Sequence, residues 1–183
     1  MKKIILSVLL CVIAVSVNAQ IVKNLEYPKA HFGIRGAFTL NTWSVDEAET
    51  DALPFGSGGL ALDFKIASIP LYLETGVYYM NNGCKYEDRY GDMETVNNHT
   101  IKMPLLASYH LYFTDNMAIQ PFVGPYVGYG FGEERVDYGL RSGIGWNLGR
   151  LYLNAGYDFG FEVDGYRNNN YFISIGFNIA GSY

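Results

Sequence analysis

The stretch YGLRSGIGWNLGRLYLNAGYDFGF, residues 138–161, contains two runs in which apolar side chains recur at every second position. The apolar positions are Tyr138, Leu140, Ile144, Trp146 and Leu148 in the first run, and Leu151, Leu153, Ala155, Tyr157, Phe159 and Phe161 in the second. Polar residues, including Arg141 and Asp158, occupy the alternate positions. Because successive side chains of a strand point to opposite faces, each run predicts a strand with one apolar and one polar face. The connection 148–150 is so short that it predicts an antiparallel hairpin.

The beginning of the chain has the pattern of an export signal. Lys2 and Lys3 precede an apolar run over residues 4–17, and Ala19 ends a cleavage site of small residues. This run is shorter than the roughly 20 residues of a membrane-spanning helix. We therefore predict a signal peptide over residues 1–19 and a single mature domain over residues 20–183.

Composition restricts the class of protein. Removing Lys2 and Lys3 from the 13 basic residues leaves 11 against 18 acidic ones, a net charge of −7, which disfavours nucleic acid as a partner. Only Cys84 remains after cleavage, so a monomer has no internal disulfide. The 16 tyrosines, 11 phenylalanines and 21 glycines favour an all-β exported protein.

Eight segments show the alternating pattern. We predict strands over residues 31–43, 55–66, 70–80, 99–112, 117–131, 138–148, 151–161 and 171–179. Long polar connections (44–54, 81–98, 132–137 and 162–170) alternate with tight ones (67–69, 114–116 and 148–150). The fifth strand contains Pro121 and Pro125, and because proline removes a ladder donor, we expect an edge or a bulge there.

These regularities predict an all-β fold, an eight-stranded antiparallel up-and-down transmembrane β-barrel. A sheet crosses lipid only when it is closed, and bacterial barrels combine an even strand number with short periplasmic turns and long external loops. We therefore interpret the apolar face as lipid-facing and place both termini in the periplasm. The alternative is a soluble lipocalin-like barrel in the periplasm or exterior, which would turn the aliphatic residues inward around an apolar ligand.

Several segments carry a resemblance to a known family. They are VNAQ (17–20), FGIRGAF (32–38), LYLETGVYY (71–79), IKMPLLASYHLYF (101–113), PFVGPYVGYGFG (121–132) and YFISIGFNIAGSY (171–183). The chain resembles the outer-membrane β-barrel (PorT-like, "porin family") proteins of Bacteroidetes. This resemblance implies an outer-membrane, cell-surface location among lipids and lipopolysaccharide, and recognition of the ending at Tyr183 by the barrel-assembly machinery.

Charged strand residues are the candidate site. Arg35, Asp63, Lys65, Glu74, Lys102, Arg141 and Asp158 all lie on the parity opposite the aliphatic residues. Counting from the tight turns places Asp63 beside Glu74, with Arg35 at the same level, and Arg141 opposite Asp158. We expect paired charges to plug the lumen, since an eight-stranded barrel is too narrow for an open pore. The functional alternative is a proton or ion path, or acid–base chemistry by the paired carboxylates.

No motif predicts catalysis, a metal or another cofactor. Ser108 and His110 lie two positions apart, about 7 Å along a strand, which we take as too far for a nucleophile–base bond. His31 and His99 fall at opposite ends of the predicted barrel, and no zinc spacing is present. The long connections hold 13 acidic and four basic residues. We interpret them as solvated loops of a monomer, with cation-mediated contact to lipopolysaccharide as the functional alternative.

Overall fold

The computed structural model describes residues 29–45, 48–87, 92–132, 134–163 and 165–182. The predicted signal peptide, residues 1–19, lies outside this part of the chain. The strands of the main sheet are β1 (Ala30–Val45), β2 (Leu53–Lys65), β3 (Leu71–Asn81), β4 (His99–Tyr109), β5 (Met117–Gly130), β6 (Arg135–Leu148), β7 (Leu151–Gly160) and β8 (Tyr166–Ser182). Four shorter strands cover Ala48–Glu49, Cys84–Glu87, Met93–Val96 and Leu111–Thr114.

The sheet closes on itself. Each long strand pairs antiparallel with the next, and β8 returns to pair with β1 from Ala30↔Ser182 to Val45↔Tyr166. The predicted eight-stranded antiparallel up-and-down barrel is thereby confirmed. The connections 66–70, 115–116 and 149–150 lie at the end where β1 begins and β8 ends, which we call the turn end. The longer connections lie at the opposite end, which we call the loop end.

The two faces of the wall differ as the alternation predicts. Large apolar side chains are exposed on the outside, where Ile173 is 68% and Ile144 is 61% exposed. Charged side chains point inward, and Lys102 and Asp158 are fully buried. This arrangement is the opposite of the one that a soluble carrier of apolar ligands requires. Among the described residues, no helix has the length and apolar character needed to span a membrane.

The prolines of β5 form neither an edge nor a bulge, so that expectation is wrong. Pro121 pairs with Ile144 and Pro125 with Leu140, in one register from Met117 to Gly130. Instead, the backbone N–H groups that the prolines lack leave local interruptions in the hydrogen-bond ladders between strands. Pairing between β4 and β5 is interrupted between Pro104↔Tyr126 and Ala107↔Val123, and the register is the same on both sides. Closure keeps the strand in place even where single ladder bonds are lost.

Two predicted loops are shorter than expected because strands continue into them. β6 begins at Arg135 and β8 at Tyr166, so much of 132–137 and 162–170 is strand. The connection 81–98 also contains a hairpin in which Cys84–Glu87 pairs with Met93–Val96. Polar composition suggested loops here, but the polar side chains of Asp137 and Asn168 face the lumen. At the turn end, Gly149 adopts φ 64°, which glycine accepts without strain and which permits the tight 149–150 turn.

Candidate functional site

A carboxylate in the loop-end half of the lumen binds two buried cations. Asp158 Oδ1 accepts a hydrogen bond from Arg141 Nε at 2.6 Å, and Oδ2 accepts bonds from Arg141 Nη2 at 2.8 Å and Lys102 Nζ at 2.9 Å. Asn170 Nδ2 donates to the same Oδ2 at 3.3 Å. The strand register pairs Arg141 with Asp158, as counting from the turn predicts. Lys102 comes from β4, which is not a neighbour of β7, so its bond to Asp158 crosses the lumen.

A second carboxylate, Asp137, extends this network toward the loop end. Its Oδ2 lies 3.4 Å from Lys102 Nζ and accepts bonds from Asn82 Nδ2 at 3.0 Å and Asn168 Nδ2 at 3.2 Å. The Tyr126 hydroxyl donates to Oδ1 at 3.3 Å. Sequence reasoning misses this residue because the polar composition of 132–137 predicts a loop. Its parity, the same as that of Arg141, was the signal that identifies it as inward-facing.

We call Lys102, Asp137, Arg141 and Asp158 the charge network. It contains two cations and two carboxylates, so the formal charges balance. Aromatic rings cover the cations: Lys102 Nζ lies 4.0 Å from the centroid of Tyr126, and the Arg141 guanidinium lies 4.5 Å from that of Phe172. Burying a charge is costly unless it is paired and hydrogen-bonded, and here each carboxylate has several donors.

The turn-end half holds two further carboxylates. Asp63 and Glu74 are paired in register on β2 and β3, and each is 3% exposed. His31 Nδ1 lies 3.8 Å from Asp63 Oδ2. Lys65 is half-buried near the end of β2, opposite Tyr72.

The prediction that Arg35 lies level with Asp63 is wrong. The register places Arg35 opposite Gly59, whereas His31 is opposite Asp63. Arg35 Nη2 donates to Asn178 Oδ1 at 2.8 Å, and its guanidinium lies 4.3 Å from the centroid of Tyr152. β1 and β2 are joined at the loop end by a long connection, so no tight turn fixed their register in the sequence.

Between the two groups of charges, apolar side chains fill the centre of the lumen. Leu106, Phe122 and Phe172 form a buried cluster. Beside it is a cavity of only about 20 Å³, whose polar lining includes Arg35, Glu74 and Arg141. An eight-stranded interior is just wide enough for side chains to fill it, as they do here.

The prediction that Ser108 and His110 are too far apart for a hydrogen bond is wrong for the side-chain atoms Oγ and Nε2. Ser108 Oγ lies 3.2 Å from His110 Nε2. The 7 Å spacing applies along the backbone, but the imidazole leans along the strand toward the serine. The other ring nitrogen, Nδ1, lies 3.3 Å from Gln120 Nε2, and the ring stacks on Tyr72 with centroids 3.8 Å apart. Ser108 and His110 are each 1% exposed, so this pair has no surface on which a substrate would react.

Within the described residues, no group of three or more His, Cys, Asp or Glu side chains is arranged to hold a metal ion. His31 and His99 lie at opposite ends of the barrel. His99 pairs with Asn81 at the loop end, and the Tyr79 hydroxyl is 2.8 Å from its Nδ1.

Comparison with known proteins identifies the type of barrel. The family described as "Outer membrane protein beta-barrel domain" matches residues 7–183. No curated protein matches the chain.

Solved structures of outer-membrane proteins have a similar fold. OprG from Pseudomonas aeruginosa is similar with a TM-score of 0.53 and 12% identity, over 84% of this chain and 98% of that one. Ail, the attachment invasion locus protein of Yersinia pestis in complex with the heparin analogue sucrose octasulfate, has a TM-score of 0.49 and 12% identity over 81% and 98% of the two chains. At this identity, the similarity to OprG shows the fold alone.

Proposed function

This chain belongs to the outer membrane protein beta-barrel domain family, and we propose that it is a closed barrel that anchors interacting loops at the cell surface. The loop end would face the exterior, and both termini and the tight turns would face the periplasm. We further propose that residues 1–19 are a cleaved signal peptide and that the chain belongs to the PorT-like "porin family" proteins of Bacteroidetes.

The observation that carries this proposal is the cross-lumen bond between Lys102 and Asp158. Together with Asp137 and Arg141, these side chains connect β4, β6 and β7 inside the barrel. The bond also lies on the loop-end side of the apolar cluster of Leu106, Phe122 and Phe172, which occupies the centre of the lumen. A lumen filled in this way supports a structural and surface-interaction role rather than transport, and we propose neither catalysis nor a cofactor for it.

The proposed partners follow from this location. The outward aliphatic and aromatic side chains match the acyl chains of outer-membrane lipids, and the acidic loops favour contact with lipopolysaccharide through divalent cations. The barrel-assembly machinery would insert the chain, and a monomer suffices because the barrel closes within one chain.

Epitope insertion tests the orientation. A short epitope inserted after Glu87 lies in the loop-end hairpin, and the matched control inserts it between Asp115 and Asn116 at the turn end. We expect antibody to label the first variant on intact cells and the second only after the outer membrane is permeabilised. Labelling of only the second variant on intact cells would show that the barrel has the opposite orientation. Release of both variants into the soluble fraction would support a soluble barrel.

Unheated protein is expected to run faster on denaturing gels than heated protein and to require detergent for extraction. Complete pairing of the strands keeps the barrel compact in detergent until it is heated. A single gel position before and after heating, together with recovery in the soluble fraction, would contradict the membrane assignment.

The two carboxylates in the turn-end half, Asp63 and Glu74, give a prediction about stability. Glu74→Gln is expected to leave the free energy of unfolding unchanged or to raise it by up to about 1 kcal/mol, because like charges directly opposite each other on neighbouring strands are destabilising. Chemical unfolding in micelles measures the change. A loss of several kcal/mol would instead show that Glu74 is an essential partner of a cation such as Arg35.

A further inference from the structure

An apolar groove lies on the outer wall of the barrel, in the half next to the turn end. It has a volume of about 440 Å³ and is formed by β1, β7 and β8. Its lining includes Ile34, Gly36, Leu151, Ile175, Gly176 and Phe177. Phe177 pairs with Leu151 on one side and with Ile34 on the other, so these three side chains form a row across the strands. We call this feature the wall groove, and its volume is within the range of sites that bind small molecules.

The floor of the wall groove lies at Gly36. This residue has the same parity as Ile34 and Phe38, whose side chains are exposed on the outside of β1. On β8 it pairs with Ile175, which is also exposed. Because Gly36 has no side chain, the outer surface is recessed among these three large apolar residues.

Neither packing nor backbone conformation requires glycine at position 36. A β-carbon there would lie 3.9 Å from the Ser57 carbonyl oxygen, which is an ordinary contact, and φ is not positive. At Gly176, by contrast, a β-carbon would collide with the Arg35 side chain, so packing does require glycine there. Glycine inside a strand weakens it and often marks a place that another molecule approaches closely. The recess at Gly36 therefore indicates space for a ligand on the outer wall.

The surroundings of the wall groove determine what fills it. The groove is continuous with the exposed apolar face, which the proposed function places among acyl chains. Ile34 and Phe177 project beyond the recess, so the convex wall of a second barrel would not reach the floor at Gly36. A single acyl chain is narrow, flexible and apolar, and it matches both the shape and the chemistry of the groove.

The position of the groove along the strands selects the leaflet. Leu151 directly follows the turn 149–150, and Ile34 lies near the beginning of β1, so both are close to the turn end. In the proposed orientation this half of the wall crosses the periplasmic leaflet of the outer membrane. That leaflet contains phospholipids, whereas lipopolysaccharide occupies the external one. The occupant is therefore an acyl chain of a phospholipid.

Charge at the turn end favours an anionic headgroup. Among the described residues at that end, Lys29, Lys65 and Arg150 reach the surface, and Asp115 is the exposed acidic residue. The turn end therefore carries an excess of two positive charges, in contrast to the acidic connections at the loop end. Basic residues at a membrane surface attract anionic lipids.

Arg150 lies at the edge of the wall groove. It directly precedes Leu151, and its carbonyl oxygen accepts a hydrogen bond from the backbone N–H of Asn178 at 2.8 Å, next to Phe177. The residue is exposed, and a guanidinium binds phosphate oxygens with two parallel hydrogen bonds. A phospholipid whose chain fills the groove would have its phosphate at this level.

We propose that the wall groove holds one acyl chain of an anionic phospholipid whose phosphate is bound by Arg150. This site deepens the proposed membrane role and rests on it for the leaflet that supplies the lipid. Purified protein in detergent meets added lipid from every side, so a reversed orientation in the cell would leave this binding unchanged. The two proposals therefore fail separately.

Native mass spectrometry of the protein in detergent measures the bound lipid. The protein would be mixed with phosphatidylglycerol or with phosphatidylethanolamine that carries the same acyl chains. We expect each barrel to retain one phosphatidylglycerol molecule and to bind phosphatidylethanolamine about fivefold more weakly, since one basic residue at the surface contributes about 1 kcal/mol. Retention of neither lipid, or equal retention of both, would overturn the proposal.

A pair of glycine variants tests the groove. Gly36→Phe is expected to weaken retention of phosphatidylglycerol at least tenfold, because the ring fills the recess. Gly56→Phe is the matched control, since position 56 also faces outward, a β-carbon there meets no atom within 4 Å, and the residue does not line the groove. Heat-dependent gel mobility checks that both variants fold. Unchanged retention in Gly36→Phe, or a dimer that only this variant dissociates, would contradict the assignment of the groove to a lipid chain.

A pair of charge variants tests the headgroup contact. Arg150→Gln is expected to lower the affinity for phosphatidylglycerol about fivefold and to leave that for phosphatidylethanolamine nearly unchanged. Lys85→Gln removes one positive charge from the loop-end hairpin and should retain the wild-type preference. An equal loss of preference in both variants would show that net charge, rather than Arg150, selects the lipid.

Discussion

Asp158→Asn is expected to lower the free energy of unfolding by about 3–5 kcal/mol, the cost of removing one partner from a buried ion pair. The substitution keeps the shape of the side chain but leaves Arg141 and Lys102 buried beside a neutral amide. Both cations are within 2.9 Å of Asp158 oxygens, and both lie in the interior of the barrel. Denaturant unfolding in micelles, followed by gel mobility and fluorescence, measures the loss.

Asp115→Asn is the matched control for this change. Asp115 is exposed in the turn 115–116, so removing its charge should change stability by no more than about 0.5 kcal/mol. A double variant, Asp158→Asn with Arg141→Met, should recover part of the loss because it removes Arg141, whose carboxylate partner is lost, whereas Lys102 keeps Asp137 at 3.4 Å. If Asp158→Asn were as stable as the wild-type protein, Asp158 would not be an energetic partner of these cations.

Ile173→Arg is expected to destabilise the inserted barrel by about 2–4 kcal/mol, as arginine does on the lipid face at the bilayer midplane. Ile173 is exposed on the outside of β8 and pairs with Ala155 and Phe38, about halfway along the neighbouring strands. An arginine there would place its charge among acyl chains. Reversible unfolding from lipid vesicles measures the effect.

Leu148→Arg provides the comparison at the edge of the membrane. Leu148 is also exposed on the outer face, but it adjoins the turn 149–150, so the expected cost is about 0–1 kcal/mol. Equal costs at the two positions would contradict the depth assignment. A negligible cost at Ile173 would mean that this face does not contact lipid.

The sequence predicts the wall of the barrel well because the wall depends on local rules. Strict alternation separates the faces, and tight turns fix register between neighbours. For that reason Asp63 is correctly predicted beside Glu74, and Arg141 opposite Asp158. Arg35 is misplaced because a long connection leaves the register of β1 and β2 undetermined by counting.

The interior depends on side-chain contacts between residues far apart in the chain, and alternation and turn length do not predict these contacts. The bond between Lys102 and Asp158 joins strands that are not neighbours, so strand tilt and stagger decide it. Polar composition predicts loops around Asp137 and Asn168, although both side chains face the lumen. Backbone spacing predicts that Ser108 and His110 do not meet, but the direction of the imidazole brings Nε2 within 3.2 Å of Ser108 Oγ.

Ion conductance across a planar bilayer is the most direct measure of whether the lumen is closed. The wild-type protein, inserted and checked by gel mobility, should produce no stable current steps, whereas a general porin in the same membrane should produce them. Stable current steps that depend on the wild-type protein would show that ions pass Lys102 and Asp158, and the closed, surface-anchoring barrel would then be the wrong description.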